Sequence, residues 1–279
     1  MNEKSITVIY HGDCTDGFTA AWVAWRKFGY TASYVPMYHK DFNFEENKQL
    51  FENKDVYILD YSFSLVDYLK IQAVASSVIL LDHHKSALIK LRGCAGCYFD
   101  LNRCGCVIAW NYFFPQEAVP SFLNLVQDMD LEQRKMRDSA AFYQSLLLIN
   151  KSFDNWNLFL DKNYLDEIIQ QGYLLLKLHE AQVRELSKLA VSIEMNGVSG
   201  LAANAPTMFA SDLGKLLATT SNSFGMVWHV QSSGLVKCSL RSVPTVDCSI
   251  LAAKFGGGGH PQVSAFYLKS IKDLEKLIN

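Results

Sequence analysis

Several short segments of this sequence gather residue types that bind divalent cations. His11-Gly12-Asp13-Cys14-Thr15-Asp16-Gly17 follows Ile6-Thr7-Val8-Ile9-Tyr10, Asp60 follows Val56-Tyr57-Ile58-Leu59, and Asp82-His83-His84 follows Val78-Ile79-Leu80-Leu81. Two further carboxylates, Asp128 and Asp130, end the helical run Leu125-Val126-Gln127-Asp128-Met129-Asp130. Taken singly, each has a plain explanation: a strand-end aspartate often caps a helix, and paired histidines occur on exposed loops. Together they are harder to dismiss, because clustered carboxylates repel one another unless cations neutralise them. A mixed oxygen and nitrogen donor set suits Mn²⁺, with Mg²⁺ or Co²⁺ as relatives in coordination chemistry. Two such ions roughly 3.5–4 Å apart can activate a bridging hydroxide and stabilise the charge developing on a phosphate.

Positioning these groups requires a particular kind of fold. The first half alternates short β-branched runs with helical stretches, the pattern of a parallel sheet with crossover helices. Strands are expected at Ile6 to Tyr10, Thr31 to Tyr38, Val56 to Leu59 and Val78 to Leu81. A helix over Gly17 to Phe28 places Phe18, Ala21, Trp22 and Trp25 on one face and stops at Gly29, and a second spans Leu65 to Ala75. In an open parallel sheet, ligands bind beyond the carboxyl ends of the strands, which is where the histidines and aspartates fall.

From Cys104 the pattern turns helical, with segments near 105–114, 119–133 and 139–150 and a long stretch from about Leu160 to Leu189. That stretch carries Leu165, Ile168, Ile169, Leu175, Leu176, Val183, Leu186 and Leu189 at helical spacing, a packing face suited to bridging two domains. After Asn196-Gly197 come strands near 198–203, 224–231 and 235–241 around a helix near 211–220, then a glycine run, a strand and a terminal helix. The fold class is therefore α/β: a parallel-sheet domain over residues 1–190, joined by a long helix to a smaller α/β domain over 191–279.

Phe255-Gly256-Gly257-Gly258-Gly259-His260-Pro261 is the second strong signal. Four glycines in succession cost chain entropy and offer no side chains to pack. A flexible linker is the bland reading, but a linker need not be followed by His-Pro and a strand. The functional reading is a backbone that lets a ligand approach closely, with amides turned toward an anion.

The Asp82-His83-His84 motif, the upstream His11 to Gly17 segment and the downstream glycine motif, in this order, resemble the DHH/DHHA1 phosphoesterases of the nanoRNase and oligoribonuclease kind. The resemblance covers nearly the whole chain. It implies one metal held by His11, Asp13 and Asp60, and a second by Asp16, Asp60, His83 and one of Asp128 or Asp130, with Asp128 preferred. Asp60 would bridge the ions, His84 would face the scissile phosphate, and Asp82 would orient the neighbouring imidazole. Arg241 would pair with a substrate phosphate, while Gly257, Gly258, Gly259 and His260 would form the substrate-binding loop, facing the metals across the cleft between domains. Many relatives have Asp-x-Asp-Gly where this chain has Asp13-Cys14-Thr15-Asp16-Gly17, an apparent extra residue that a bulged turn could absorb. Val263-Ser264-Ala265 also stands where relatives tend to have Ala-Ala-Gly, which bears on pocket shape.

The other cysteines invite weighing. Cys94, Cys97, Cys104 and Cys106 suggest zinc, but the Cys-x-Cys spacing is tight for a tetrahedral site, and Arg103-Cys104-Gly105-Cys106 falls where relatives have Arg-Ser-Gly-Ala. Ordinary small or buried residues are the better reading, with Arg103 a candidate phosphate contact. Cys14 could be a nucleophile, but two-metal hydrolysis needs no covalent thiol. His179 and His229 read as structural, and His39 as a residue that could reach the site.

Composition narrows the substrate. With a formal net charge of −2 and 49% hydrophobic residues, the chain builds a real core but has no basic stripe for a long duplex. No leader sequence, membrane span or disulfide framework is apparent among its seven cysteines, so a cytoplasmic enzyme is expected. The expected activity is metal-dependent hydrolysis of very short oligoribonucleotides, including dinucleotides such as pGpG, to mononucleotides, with a homodimer implied by the resemblance. Alternatives are a cyclic-dinucleotide phosphodiesterase, a nucleotide 3′-phosphatase, a single-strand exonuclease, or a nucleotide sensor that has lost turnover.

Overall fold

A computed structural model describes residues 5–38 and 42–278; His39 lies outside the described residues. The chain divides into two compact units, 1–176 and 177–279.

The first unit holds five strands: β1 (Ile6–His11), β2 (Ala32–Met37), β3 (Asp55–Leu59), β4 (Ser77–Asp82) and β5 (Cys97–Phe99). They pair in parallel in the order β2-β1-β3-β4-β5. The short β5 strand carries too few residues to show a strand period and was not expected. Successive side chains of a strand point to opposite faces, so Val8, Leu59 and Leu81 enter one core and Ile9, Ile58 and Leu80 another. Strands covered on both sides read as unbroken apolar runs, which is why β1, β3 and β4 were visible in the sequence.

The helices of this unit are α1 (Thr15–Phe28), α2 (Phe44–Asn47), α3 (Leu65–Val74), α4 (Lys85–Lys90), α5 (Gly105–Phe113), α6 (Ser121–Asp130), α7 (Ser139–Ser145) and α8 (Phe153–Leu158). Trp22 of α1 stacks on Trp110 of α5 at 6.2 Å and meets Phe122 of α6 edge-on at 5.1 Å. Tyr68 and Ile71 of α3 cover the other face of the sheet. Gly29 ends α1 with φ of 56°, a conformation that favours glycine. The order 2-1-3-4-5 places the switch point between β1 and β3: connections leave in opposite directions there, opening a crevice at the strands' carboxyl ends. His11 ends β1 and Asp60 follows β3 at that point.

The long helix α9 (Lys162–Ser187) runs from the first unit into the second. Leu165, Ile168 and Ile169 are buried in the first unit's core, and Val183 and Leu186 pack in the second. Leu189, expected on the packing face, is 69% exposed because the helix ends before it.

The second unit contains β6 (Val191–Met195), β7 (Val198–Asn204), α10 (Ala210–Ser221), β8 (Phe224–Val230), β9 (Val236–Ser242), α11 (Cys248–Ala253), β10 (Gly258–His260), β11 (Val263–Leu268) and α12 (Ile271–Ile278). Its strands form one sheet in the order β10-β11-β9-β8-β7-β6, with β7 and β8 parallel and the other pairs antiparallel. Leu213 and Leu217 of α10 join Val227 on one face, and Leu251 of α11 and Leu274 of α12 join Phe224 and Phe266 on the other. The edge strands β6 and β10 escaped sequence reading, since β10 lies within the glycine run, a composition depleted in strands. No helix among the described residues is long and apolar enough to cross a membrane.

Candidate metal centre

Each side chain of the cluster is placed by a different element. His11 ends β1 and has 14% of its side chain exposed. Asp60 turns off β3 with φ of 53°, a left-handed conformation uncommon for a side chain other than asparagine or aspartate, and is 2% exposed. Its two oxygens face different partners. Oδ1 lies 3.1 Å from His83 Nε2, whereas Oδ2 lies 3.6 Å from His11 Nδ1 and accepts a 3.2 Å hydrogen bond from the Cys14 thiol.

Asp16, in the first turn of α1, is fully buried. It accepts hydrogen bonds from the backbone amides of Gly105 (2.6 Å) and Cys106 (2.9 Å) at the start of α5, where unpaired N–H groups and the helix dipole favour an anion. Gly105 must be glycine, since a Cβ there would lie 2.5 Å from Asp60 Cβ and 3.0 Å from Asp16 Oδ2. His83 Nε2 sits 3.1 Å from Asp60 Oδ1, 3.5 Å from Asp130 Oδ2 and 3.8 Å from Asp16 Oδ2. One imidazole nitrogen therefore faces three carboxylates.

The two aspartates at the end of α6 divide as expected for residues two apart on a helix. The sequence preference for Asp128 gives way to Asp130. Asp128 is turned away, with its oxygens occupied by the amides of Lys135 (2.8 Å) and Met136 (3.2 Å) and the hydroxyl of Ser139 (2.6 Å). Asp130 joins Asp16 and His83. Asp13 is exposed and belongs to no metal-competent group among the described residues, whereas Cys14 stands with His11 and Asp60.

Asp82 is fully buried and acts one layer behind. Ser62 donates to its Oδ2 (2.6 Å), while Oδ1 takes the amides of His83 (2.7 Å) and His84 (3.2 Å) and lies 2.7 Å from His84 Nδ1. The ring that Asp82 orients is thus that of His84, which stays 44% exposed. A cavity of about 300 Å³ opens beside it, lined by Asp60, Ser62, Asp82, His84, Ser86 and Lys90.

Charge crowding shows in the proton affinities. Burial, then the charges of Asp60 and Asp130, push the Asp16 carboxyl up to about 7. Burial opposes ionisation of Asp60 as well, but hydrogen bonds from His11 and His83 override it and hold that carboxyl below the usual range. Burial works to lower His83, yet its hydrogen bond to Asp60 and the surrounding carboxylates raise it to about 9. His84 is raised by its hydrogen bond to Asp82. Burial, followed by the charge of Asp60, pushes both the Cys14 thiol and the Asp130 carboxyl up.

These residues fit divalent cations. Asp130 Oδ2 is buried without a hydrogen-bond partner, a costly arrangement that a metal would satisfy. Burial, then the charge of Asp60, raises both Asp16 and Asp130, a crowding that a cation would relieve. Tyr143 on α7, which the sequence did not single out, hydrogen-bonds with Thr15 and lies within the field of Asp130, Cys14 and Asp16. Nothing in its local sequence announces it, because only the fold of α7 brings it there.

Other sequence candidates lie elsewhere. Arg103 is exposed and pairs with Asp100 at 3.6 Å. Cys94 and Cys97 pack on one core and Cys104 and Cys106 in another, the latter two 3.4 Å apart next to Asp16. His179 is buried, 2.9 Å from Asp212, and stacks on Phe209; His229 meets Thr207 at 3.0 Å.

In the second unit, Arg241 on β9 and His260 on β10 both pair with Val263 of β11, forming one cross-strand row. The glycine run has a partial packing explanation, contrary to the sequence argument. A Cβ on Gly257 would lie 2.2 Å from the Ala265 carbonyl, and one on Gly259 2.4 Å from that of Val263. A Cβ on Gly258 would meet nothing within 4 Å.

No model of a known protein family matches the sequence. The fold is that of the DHH-domain proteins. The structure superposes on the DHH domain of a member of a ribosomal-protein family, covering 99% of this chain and 88% of that one, with a TM-score of 0.51 and 14% identity. It also superposes on the pGpG-specific phosphodiesterase PggH of Vibrio cholerae, covering 98% and 96% with a TM-score of 0.56 and 13% identity. At 13–14% identity these likenesses show a shared DHH-type fold. In sequence it is 32% identical to uncharacterized protein R106 of Acanthamoeba polyphaga mimivirus over 95% of this chain and 68% of that protein, and it belongs to the same family as R106.

Proposed function

We propose that this protein is a two-metal phosphodiesterase that hydrolyses very short oligoribonucleotides, dinucleotides such as pGpG foremost, to mononucleotides. The observation that carries this reading is Asp60. One of its oxygens faces His83 and the other faces His11, so a single buried carboxylate serves two adjacent ligand groups. Asp16, His83 and Asp130 complete one position, and His11 contributes to the other.

When bound, a pair of divalent cations, Mn²⁺ by the oxygen and nitrogen donors, supplies an activated water and neutralises charge on the phosphate. Asp60 sets the spacing of the two positions. The amides of Gly105 and Cys106 fix the Asp16 carboxylate. Asp82 engages His84 through Nδ1 and leaves Nε2 for a phosphate oxygen. The cavity beside His84, with Ser62, Ser86 and Lys90 in its lining, has the size and polarity to take part of a nucleotide.

We assign residues 1–190 to catalysis and 191–279 to substrate selection. Arg241 and His260, aligned on either side of Val263, are the anion contacts of the second region. Support for a dinucleotide comes from the fold shared with PggH, itself a pGpG-specific phosphodiesterase, and from a net charge of −2 that gives no general affinity for long nucleic acid.

The test is turnover, with Mn²⁺ present, of 5′-labelled RNAs from two to about ten nucleotides beside cyclic dinucleotides and a 3′-phosphorylated mononucleotide. Dinucleotides should be cleaved fastest, with rates falling as length grows. Equal rates at all lengths would refute the short-substrate assignment, and preference for a cyclic substrate would replace it.

A further inference from the structure

The geometry points to Cys14 as a metal ligand: a thiolate standing where a carboxylate would be expected, which makes one of the two metal positions thiophilic. This inference rests on the two-metal reading above and concerns which ion occupies one of its positions.

The register of the β1–α1 turn supports it. Asp-x-Asp-Gly, the spacing of many relatives, matches Cys14-Thr15-Asp16-Gly17 without any inserted residue. The conformation of the turn supports that register. Asp13 is exposed, and the thiol of Cys14 takes the inward position at the N-terminus of α1. Its Sγ lies 3.2 Å from Asp60 Oδ2 and 3.3 Å from His11 Nδ1. All three ligand atoms fall within 4.8 Å of one another, close enough for one ion to collect them.

The simpler alternative is that Cys14 merely caps α1, since its sulfur accepts the Gly17 amide at 3.2 Å. Serine, threonine, aspartate and asparagine are the favoured caps, because their oxygens are better acceptors. A sulfur is a weaker cap than these oxygens. As a ligand beside an imidazole and a carboxylate, it gains a great deal.

The chemical consequence is asymmetry. His11, Cys14 and Asp60 offer nitrogen, sulfur and oxygen, a set that selects Zn²⁺, Co²⁺ or Fe²⁺ over Mg²⁺. Asp16, Asp60, His83 and Asp130 offer three carboxylates and one imidazole, a set suited to Mn²⁺ or Mg²⁺. Coordination removes the thiol proton to solvent and leaves a thiolate on the metal. The protein would then carry a mixed pair, with the softer ion beside His11.

The experiment is a titration of the metal-free full-length protein with Co²⁺, read by absorption. Wild type should develop the near-ultraviolet charge-transfer band of a cobalt–thiolate bond together with visible ligand-field bands. Cys14→Ser should lose the charge-transfer band and keep the visible ones. Cys104→Ser and Cys106→Ser should keep both, which separates Cys14 from the other sulfurs near Asp16. In competition, Cys14→Asp should lower the preference for Zn²⁺ over Mg²⁺ by about tenfold or more, since losing even an outer partner of a metal site costs roughly 10- to 100-fold.

A charge-transfer band that survives in Cys14→Ser, or moves with Cys104 or Cys106, overturns the inference. So does Co²⁺ binding with visible bands alone, an outcome that leaves the two-metal reading standing. Failure to bind any divalent cation removes both. If the Cys14 variants do not fold, cadmium NMR of wild type decides, because each sulfur ligand moves the resonance strongly downfield. A shift typical of oxygen and nitrogen ligands alone overturns the assignment.

Discussion

The metal cluster of the first unit and the Arg241–His260 row of the second are held in opposite ways. Asp16, Asp60 and Asp82 are buried, and each is fixed by backbone amides or side chains from other elements. His260 is exposed on a three-residue edge strand made largely of glycine. The first arrangement crowds carboxylates together, as the raised Asp16 carboxyl shows and as does the buried Asp130 oxygen, which has no hydrogen-bond partner among the described residues. The second sets one part-buried guanidinium, Arg241, in line with an exposed imidazole on a glycine-rich edge. A group of side chains that fits a metal thus shows electrostatic tension, whereas the row proposed to meet an anion shows open geometry.

The comparison breaks most decisively at Asp60. Asp60→Asn keeps the size of the side chain but removes the charge that serves both ligand groups. Turnover should fall by on the order of 10³ or more, as when a residue acting at the reaction centre is removed. A steady-state assay at saturating metal decides the matter, and a wild-type rate would sink the two-metal reading.

A second prediction separates packing from recognition within the glycine run. Gly257→Ala drives a Cβ against the Ala265 carbonyl and should cost about 1–3 kcal/mol, the usual range for overpacking. Gly258→Ala meets open space, so thermal unfolding should be unchanged. If a ligand's anion approaches this backbone, the same methyl group should lower kcat/KM for a dinucleotide by roughly tenfold, in line with the cost of misplacing a substrate. Unaltered kinetics in a stable Gly258→Ala would reduce the run to a packing device.

What the sequence disclosed follows from how locally each feature is determined. The strands β1, β3 and β4 were visible because both their faces are buried, and the strand-end placement of His11, Asp60 and His83 followed from the parallel pattern. The edge strands β5 and β10 were not, since a three-residue or glycine-rich segment carries no clear period; β6 does alternate, but it follows directly on the long helical stretch. Choosing between Asp128 and Asp130 needed the direction of α6 relative to the sheet, which no local pattern encodes. Cys14 was set aside as a possible nucleophile because a sulfur can be weighed as a ligand only when its distance to His11 and Asp60 is known. The glycine run looked purely functional because its contacts with β11 span the strand pairing.

The finest contrast lies within α6, between Asp128 and Asp130. Asp128 is 3% exposed and saturated by Ser139, Lys135 and Met136, so it is a structural carboxylate. Burial tends to raise its proton affinity, but those hydrogen bonds prevail and hold it below the ordinary value of 3.8. A carboxyl lowered on folding contributes stability that is present above that ordinary value and is lost as pH falls through the folded one. In Asp128→Asn an amide nitrogen must face at least one donor, at a cost of about 1–3 kcal/mol near neutral pH. Urea unfolding should therefore show wild type and Asp128→Asn well separated at pH 6 and converging only as pH falls below 3.8 and through the lowered folded value, while the variant keeps its metal affinity. Asp130→Asn should do the reverse, removing a carboxylate that Asp60 repels and weakening metal binding with little loss of stability. If Asp128→Asn loses metal while Asp130→Asn retains it, the ligand assignment at this end of α6 is inverted.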